Sequence, residues 1–156
     1  MVNQDISIAN AKIGFRNFSG KDGKFNAAGK RNFCVFLDTD IANRLSEDGW
    51  NIRWLRPRNE DEAPQAYMQV EVSFRNIPPT IVQITHRGKT KLSEDTVGSL
   101  DWAELANVDL IIRPYNWQVN ASTGVKAYLK SMYVTLNEDE FAEKYDSLPE
   151  AVADPF

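Results

Sequence analysis

One cysteine and one histidine in 156 residues leave little material for several kinds of chemistry. A lone Cys34 cannot close an intramolecular disulfide, and its place in the apolar run RNFCVFL makes it a buried, inert thiol rather than a nucleophile. His86 has no cysteine near it in sequence, so a zinc site has almost no donors. A serine or cysteine nucleophile would have to share that same histidine, which sits in the basic turn HRGKTK and reads as a surface residue. No apolar run approaches the length of a membrane span, and MVNQDISIANAK lacks the basic-then-apolar layout of a signal peptide. A cytoplasmic protein with no membrane partner is therefore expected. No internal repeat is visible.

Phosphate-loop chemistry is missing too. GKFNAAGKR has a superficial likeness to a nucleotide-binding loop, but Gly23 to Gly29 is one residue too long, and Arg31 stands where a magnesium-binding Ser or Thr is required. The carboxylate groups Glu60-Asp61-Glu62 and Glu94-Asp95 fall in loop-like or helix-capping contexts. A metal-dependent nuclease would need ligands gathered from distant strands, and nothing local supports one. No cofactor, no metal and no catalytic residue is expected.

Positive charge is scarce overall, with a formal net charge of −4, but the distribution is uneven. From Asn137 to Phe156 seven acids face one Lys144, for −6, which leaves the preceding 136 residues at +2. A weakly basic body at 1–136 followed by an acidic tail at 137–156 is the expected organisation. The length suits a single body with a real core, and a hydrophobic content of 42% is ordinary for one.

What is present gathers around Phe15 to Leu37, FRNFSGKDGKFNAAGKRNFCVFL. Two aromatic-rich runs flank a glycine-punctuated basic loop, the pattern of two antiparallel strands with a long connection. Arg16, Lys21, Lys24, Lys30 and Arg31 face only Asp22, for +4, and Phe15, Phe18, Phe25 and Phe33 are interleaved with them. Cations for phosphates with flat rings for bases equip a sequence-tolerant binder of single strands; core phenylalanines under a solvated lysine loop would give the same letters.

In order, Ile6 to Phe18 reads as one strand, with Ala11, Ile13 and Phe15 inward and Lys12, Arg16 and Phe18 outward. Asn32 to Leu37 reads as a central strand. DTDIANRLSEDG predicts a short helix capped by Asp40 and stopped at Gly49. Trp50 to Arg56 is a strand with Trp50, Ile52 and Trp54 on one face, and Arg53, Arg56 and Arg58 beside them. Tyr67 to Phe74 alternates Met68, Val70, Val72 and Phe74 inward, and Ile81 to Ile84 is a short strand. Asp101 and Glu104 look like a capping box opening a second short helix. Val108 to Val119 carries Pro114, which implies an edge or bulge, and Val125 to Leu136 sets Lys126, Tyr128 and Lys130 on one face. FAEKY reads as a short helix within the tail.

Six or seven strands with two short helices and irregular loops fit a mainly β protein, an OB-like Greek-key antiparallel barrel with an acidic C-terminal tail, better than a sandwich. NFSGKDGKFNAAGKRNFCVFLD, LSEDGWNIRW and VDLIIRPYNW…GVKAYLKSMYVTL together resemble a family of small phage and prophage single-stranded DNA-binding proteins. That resemblance spans most of residues 1–136 and implies an OB fold, no enzymatic activity, and coating of single-stranded DNA in replication or recombination in a bacterial host cytoplasm. The terminus, Asp154-Pro155-Phe156 after an acidic segment, is similar to bacterial single-stranded DNA-binding proteins, though without a run of aspartates at the tip or a long linker. It implies contact with a replication or repair protein.

The residues expected to bind nucleic acid are Arg16, Phe18, Lys21, Lys24, Phe25, Lys30, Arg31, Arg53, Trp54, Arg56, Arg113, Tyr115, Trp117, Lys126, Tyr128 and Lys130. Single-stranded DNA is the expected ligand, with RNA and self-association left open by the sequence. The competing reading is a phage-derived interaction or inhibitor module that acts through its acidic tail while the aromatics form the core.

Overall fold

Alternating apolar positions build most of the elements. The computed structural model describes residues 4–23, 28–57, 59–75, 77–146 and 148. Strands β1 (Ile6–Ile8), β2 (Lys12–Asn17) and β3 (Arg31–Leu37) lead to helix α1 (Thr39–Glu47) and strand β4 (Ile52–Leu55). Strands β5 (Gln65–Val72), β6 (Thr80–Thr85) and β7 (Gly88–Leu92) follow, then a 3-10 helix (Val97–Asp101). Two long strands, β8 (Leu105–Val119) and β9 (Ser122–Leu136), and the short helix α2 (Ala142–Tyr145) complete the chain.

The hydrogen-bonded order is β1-β8-β9-β5-β3-β2, with β4 on β5 and the β6–β7 pair on β9. This is a mainly β, OB-like architecture, but the ladder does not close. Its two ends, β1 and β2, are consecutive pieces of one chain run: Ile8 pairs with Leu110 on one side and Lys12 with Phe36 on the other. Ala11 N–H donates to the Val108 carbonyl at 2.7 Å, so the turn of the chain, rather than a ladder, brings the sheet round. The expected single strand Ile6–Phe18 is thus split. Two pairings, β5–β9 and β6–β9, are parallel, against the antiparallel expectation. The chain enters β9 only after β7, the 3-10 helix and β8, a crossover long enough to reverse direction.

The interior takes alternate residues from each strand. Phe33, Val35 and Leu37 of β3 meet Ala66, Met68, Val70 and Val72 of β5, as the alternation predicts. On β9 the buried set steps from Leu129 to Met132, because a register shift opposite Ile111/Ile112 inserts one residue. Pro114 lies past the stretch of β8 paired with β1, on an edge of the hairpin, where its missing N–H is harmless.

Helix α1 starts two residues before the expected position: Asp38 is the N-cap, and its carbonyl accepts the Ala42 N–H, while Asp40 lies in the first turn. It ends as expected at Gly49, whose φ of +95° an L side chain would resist. The expected capping box is absent. The 3-10 helix ends at Asp101 and Leu105 already begins β8. The Asp101 carboxylate instead accepts the Phe18 N–H at 2.5 Å, the Ser19 N–H at 3.2 Å and the Ser19 hydroxyl at 2.5 Å. Strand β7 falls in what the sequence reads as a basic turn, because Gly88 to Lys91 are all exposed and give no period-two signal before buried Leu92.

Candidate nucleic-acid interface

A bulge in β2 decides which rings face outward. Gly14 pairs with Cys34 and Asn17 with Asn32, so three steps along β2 match two along β3. Phe15 sits at the bulge with φ of +48°, in the left-handed region that a bulky residue adopts only under constraint. The extra residue inverts the alternation expected beyond it. Phe15 turns outward, 61% exposed, and Phe18 turns inward, fully buried and stacked on Phe33 at 5.2 Å. Phe18 is therefore a core ring and not an exposed stacking ring.

The outer face of β2, β3 and β5 carries the first aromatic cluster. The Phe15 ring lies 6.1 Å from Phe36 and 6.0 Å from Tyr67, which pair across β3 and β5. Arg53 of β4 stands opposite Tyr67 on that face and is exposed. A Cβ on Gly14 would stand 2.8 Å from the Phe36 ring, so the glycine lets that ring settle against β2. Phe15, Phe36 and Tyr67 are absent from the residues the sequence nominates; their signal was cross-strand register, which local alternation does not contain.

The second cluster lies on β8 and β9. Tyr115 meets Tyr128 edge-on at 6.0 Å, and Arg113 and Lys126 stand 5.3 and 5.2 Å from the Tyr128 ring. Tyr128 pairs with Glu71 of β5, which puts it on the same outer face as the first cluster. Lys126 Nζ lies 2.5 Å from a Glu71 carboxylate oxygen, and that hydrogen bond raises the lysine pKa. Further out, Trp117 lies flat over Gly124, where a Cβ would meet the indole at 2.6 Å.

Between the two clusters runs a groove of about 650 Å³, lined by Lys30, Asn32, Asn51, Gln69, Glu71, Trp117 and Lys126 among others. Cys34 opens toward this face but is buried, and burial pushes its thiol pKa up.

Other nominated residues stand elsewhere. Arg16 gives its guanidinium to the carbonyls of Leu100 and Ala103, at 2.8 and 2.7 Å, and so ties β2 to the 3-10 helix. Arg31 pairs across from Val72 on the inner side of β3, bonds Glu94 at 3.3 Å and covers Phe74. Trp54 is 41% exposed but pairs with buried Ala66, which puts it on the opposite side of β4 from Arg53 and off the outer face. Lys130 is ion-paired with Asp5 at 2.6 Å, and Arg56 is exposed beyond β4. Lys21 lies over Trp102 at the far margin of β2. Lys24, Phe25, Arg58, Asp154, Pro155 and Phe156 lie outside the described residues.

The start of the acidic segment is held on the body. The His86 ring bonds Glu138, and its other nitrogen lies 3.3 Å from Asp146, which also pairs with Arg87. The Glu138 carboxylate raises the pKa of His86 by its hydrogen bond, while the His86 N–H lowers that of Glu138 and Arg87 lowers that of Asp146. Among the described residues, no three His, Cys, Asp or Glu side chains come together as a metal set, and no helix is long and apolar enough to cross a membrane.

These elements define an OB-like β protein with an outer face of paired rings and cations. The chain belongs to the family described as "Putative phage ssDNA-binding domain", whose model matches residues 1–155. No individually curated protein sequence matches it. Among solved structures, the single-stranded DNA-binding protein from bacteriophage Enc34 in complex with ssDNA is similar in fold, with a TM-score of 0.54 at 11% identity over 88% of this chain and 89% of that one. A further structure of the single-stranded DNA-binding protein from bacteriophage Enc34 gives a TM-score of 0.53 at 10% identity over 91% and 90%.

Proposed function

We propose that this chain is a non-enzymatic binder of single-stranded DNA that holds the strand on the outer face of β2, β3, β5 and β9 and on the β8–β9 hairpin. One observation supports this choice of face above the others: two separate ring clusters, Phe15–Phe36–Tyr67 and Tyr115–Tyr128, share one side of one sheet and flank a polar groove with Lys30 and Lys126. Rings of that kind stack on any base, and cations beside them take phosphates, so the ligand is read by shape and charge rather than by sequence. Family membership supports the ligand class. Phage DNA replication or recombination, in a bacterial host cytoplasm, is the setting this reading implies.

The division into a binding body at 1–136 and an acidic tail at 137–156 belongs to the same reading, with Asp154, Pro155 and Phe156 offered to a basic, apolar pocket on a replication or repair protein. Deleting residues 150–156 should abolish capture of such partners while DNA affinity is kept or improved; unchanged capture would remove that role from the tip.

The binding reading is tested by titrating the protein with oligo-dT at several salt concentrations and following tryptophan fluorescence. Quenching with an affinity that falls as salt rises is expected, since phosphate contacts release counterions. Absence of binding at low salt would overturn it.

A further inference from the structure

We infer that Trp102, together with Lys21, forms an additional base-stacking station at the margin of the interface, at the end of the 3-10 helix that packs beside β2, so that the bound strand runs past the sheet edge. The inference rests on the single-stranded DNA reading and extends it to a residue that neither the aromatic clusters nor the groove include.

Trp102 is 77% exposed, the most exposed of the large apolar side chains among the described residues. Tryptophan is buried well on average, so an indole left in water calls for an account. This indole is also on a fixed mount. The Asp101 carboxylate is tied to Phe18 and Ser19, and the Arg16 guanidinium grips the carbonyls of Leu100 and Ala103 on either side of it. Gly98 sits so close to Ser19 that a Cβ there would lie 3.1 Å from the serine Cβ. A rigid backbone presenting a bare ring loses little entropy when a flat ligand lands on it.

The mount is connected to the groove by direct contacts. Asn32 lines the groove and pairs with Asn17 on β2. The Asn17 amide donates to the Lys21 carbonyl at 3.1 Å and accepts the Lys21 N–H at 2.9 Å. The Lys21 ammonium then stands 4.4 Å from the centroid of the Trp102 ring. A lysine over one face leaves the rest of an exposed indole for a base, and the same ammonium can meet the adjoining phosphate. Ring and cation at this spacing match a nucleotide; an apolar protein partner would gain nothing from the ammonium.

The test uses the full chain, wild type and Trp102→Ala, with a ladder of dT oligomers from a few nucleotides upward. The shortest oligomers should bind both proteins equally, because they fill the central face. Beyond a threshold length the wild type should gain affinity and the variant should fall behind by roughly 5- to 150-fold, the range for loss of one stacked base. Trp102→Phe should recover most of the difference. Far-UV circular dichroism and the thermal midpoint of the variant check that the fold is intact. Equal affinities at every length would overturn the inference, and so would an equal loss at every length. A wild-type protein that binds no oligomer would overturn the functional reading instead.

Discussion

The sharpest consequence of the residue-scale geometry is the exchange of Phe15 and Phe18 across the β2 bulge. Truncating the buried, stacked Phe18 to alanine should cost about 3–5 kcal/mol of stability, read as a fall in denaturation midpoint. Truncating the exposed Phe15 should leave stability close to wild type and cost roughly 1–3 kcal/mol of single-strand affinity. A loss of affinity confined to the Phe18 variant would reverse the assignment. Glu71 is the second telling residue, a carboxylate in the middle of a face meant for phosphates and paired with Lys126. Glu71→Gln should strengthen binding at low salt and steepen the salt dependence by about 0.7 per released cation, as a titration at several salt concentrations would show. Unchanged slope would mean that Lys126 meets no phosphate. Local sequence reads Lys126 and Tyr128 as sharing one face of the last strand, while the pairing that sets Tyr115 and Trp117 beside them belongs to the β8–β9 ladder. It could not place Phe36 and Tyr67, since their partnership depends on β3 and β5 lying side by side.

At the scale of elements, the docking of the segment that carries α2 follows from charge. His86 is held above its ordinary value near 6.5, so its contact contributes below that pH and is lost as pH rises through the raised value. Glu138 and Asp146 are held below their ordinary values, so their share is present above about pH 4.5 and is lost as pH falls. Docking is therefore firmest between these limits, and above them the Arg87–Asp146 pair remains as a partial hold. Hydrogen exchange at amides 142–146, corrected for intrinsic rate, should be faster at pH 8.5 than at pH 6, and His86→Gln should remove the difference. A pH-independent protection factor would show that the ion pairs do not hold the segment. The sequence presents His86 as a solvated surface residue; its partners lie 52 and 60 residues further on, beyond any local pattern. By contrast α1, its stop at Gly49 and the alternation of β5 were legible, because caps and period-two burial are written in neighbouring residues.

For the whole molecule, the formal charge of −4 says little, since a carboxylate-rich end offsets a body of +2. The mainly β class was legible from alternation alone. The route of the sheet was not: splitting the first strand at residues 9–11 and laying β9 parallel to β5 and β6 are decided by long-range pairing. That route is what brings rings from the N-terminal and C-terminal thirds onto one face. Amide chemical-shift mapping of the full chain with a dT oligomer tests most directly whether the strand binds there. Perturbations are expected along the outer positions of β2, β3 and β5, at Tyr67, Gln69 and Glu71, and along the β8–β9 hairpin from Arg113 to Tyr128. Perturbations confined to β6, β7 and the α2 segment, with that face unchanged, would contradict that placement.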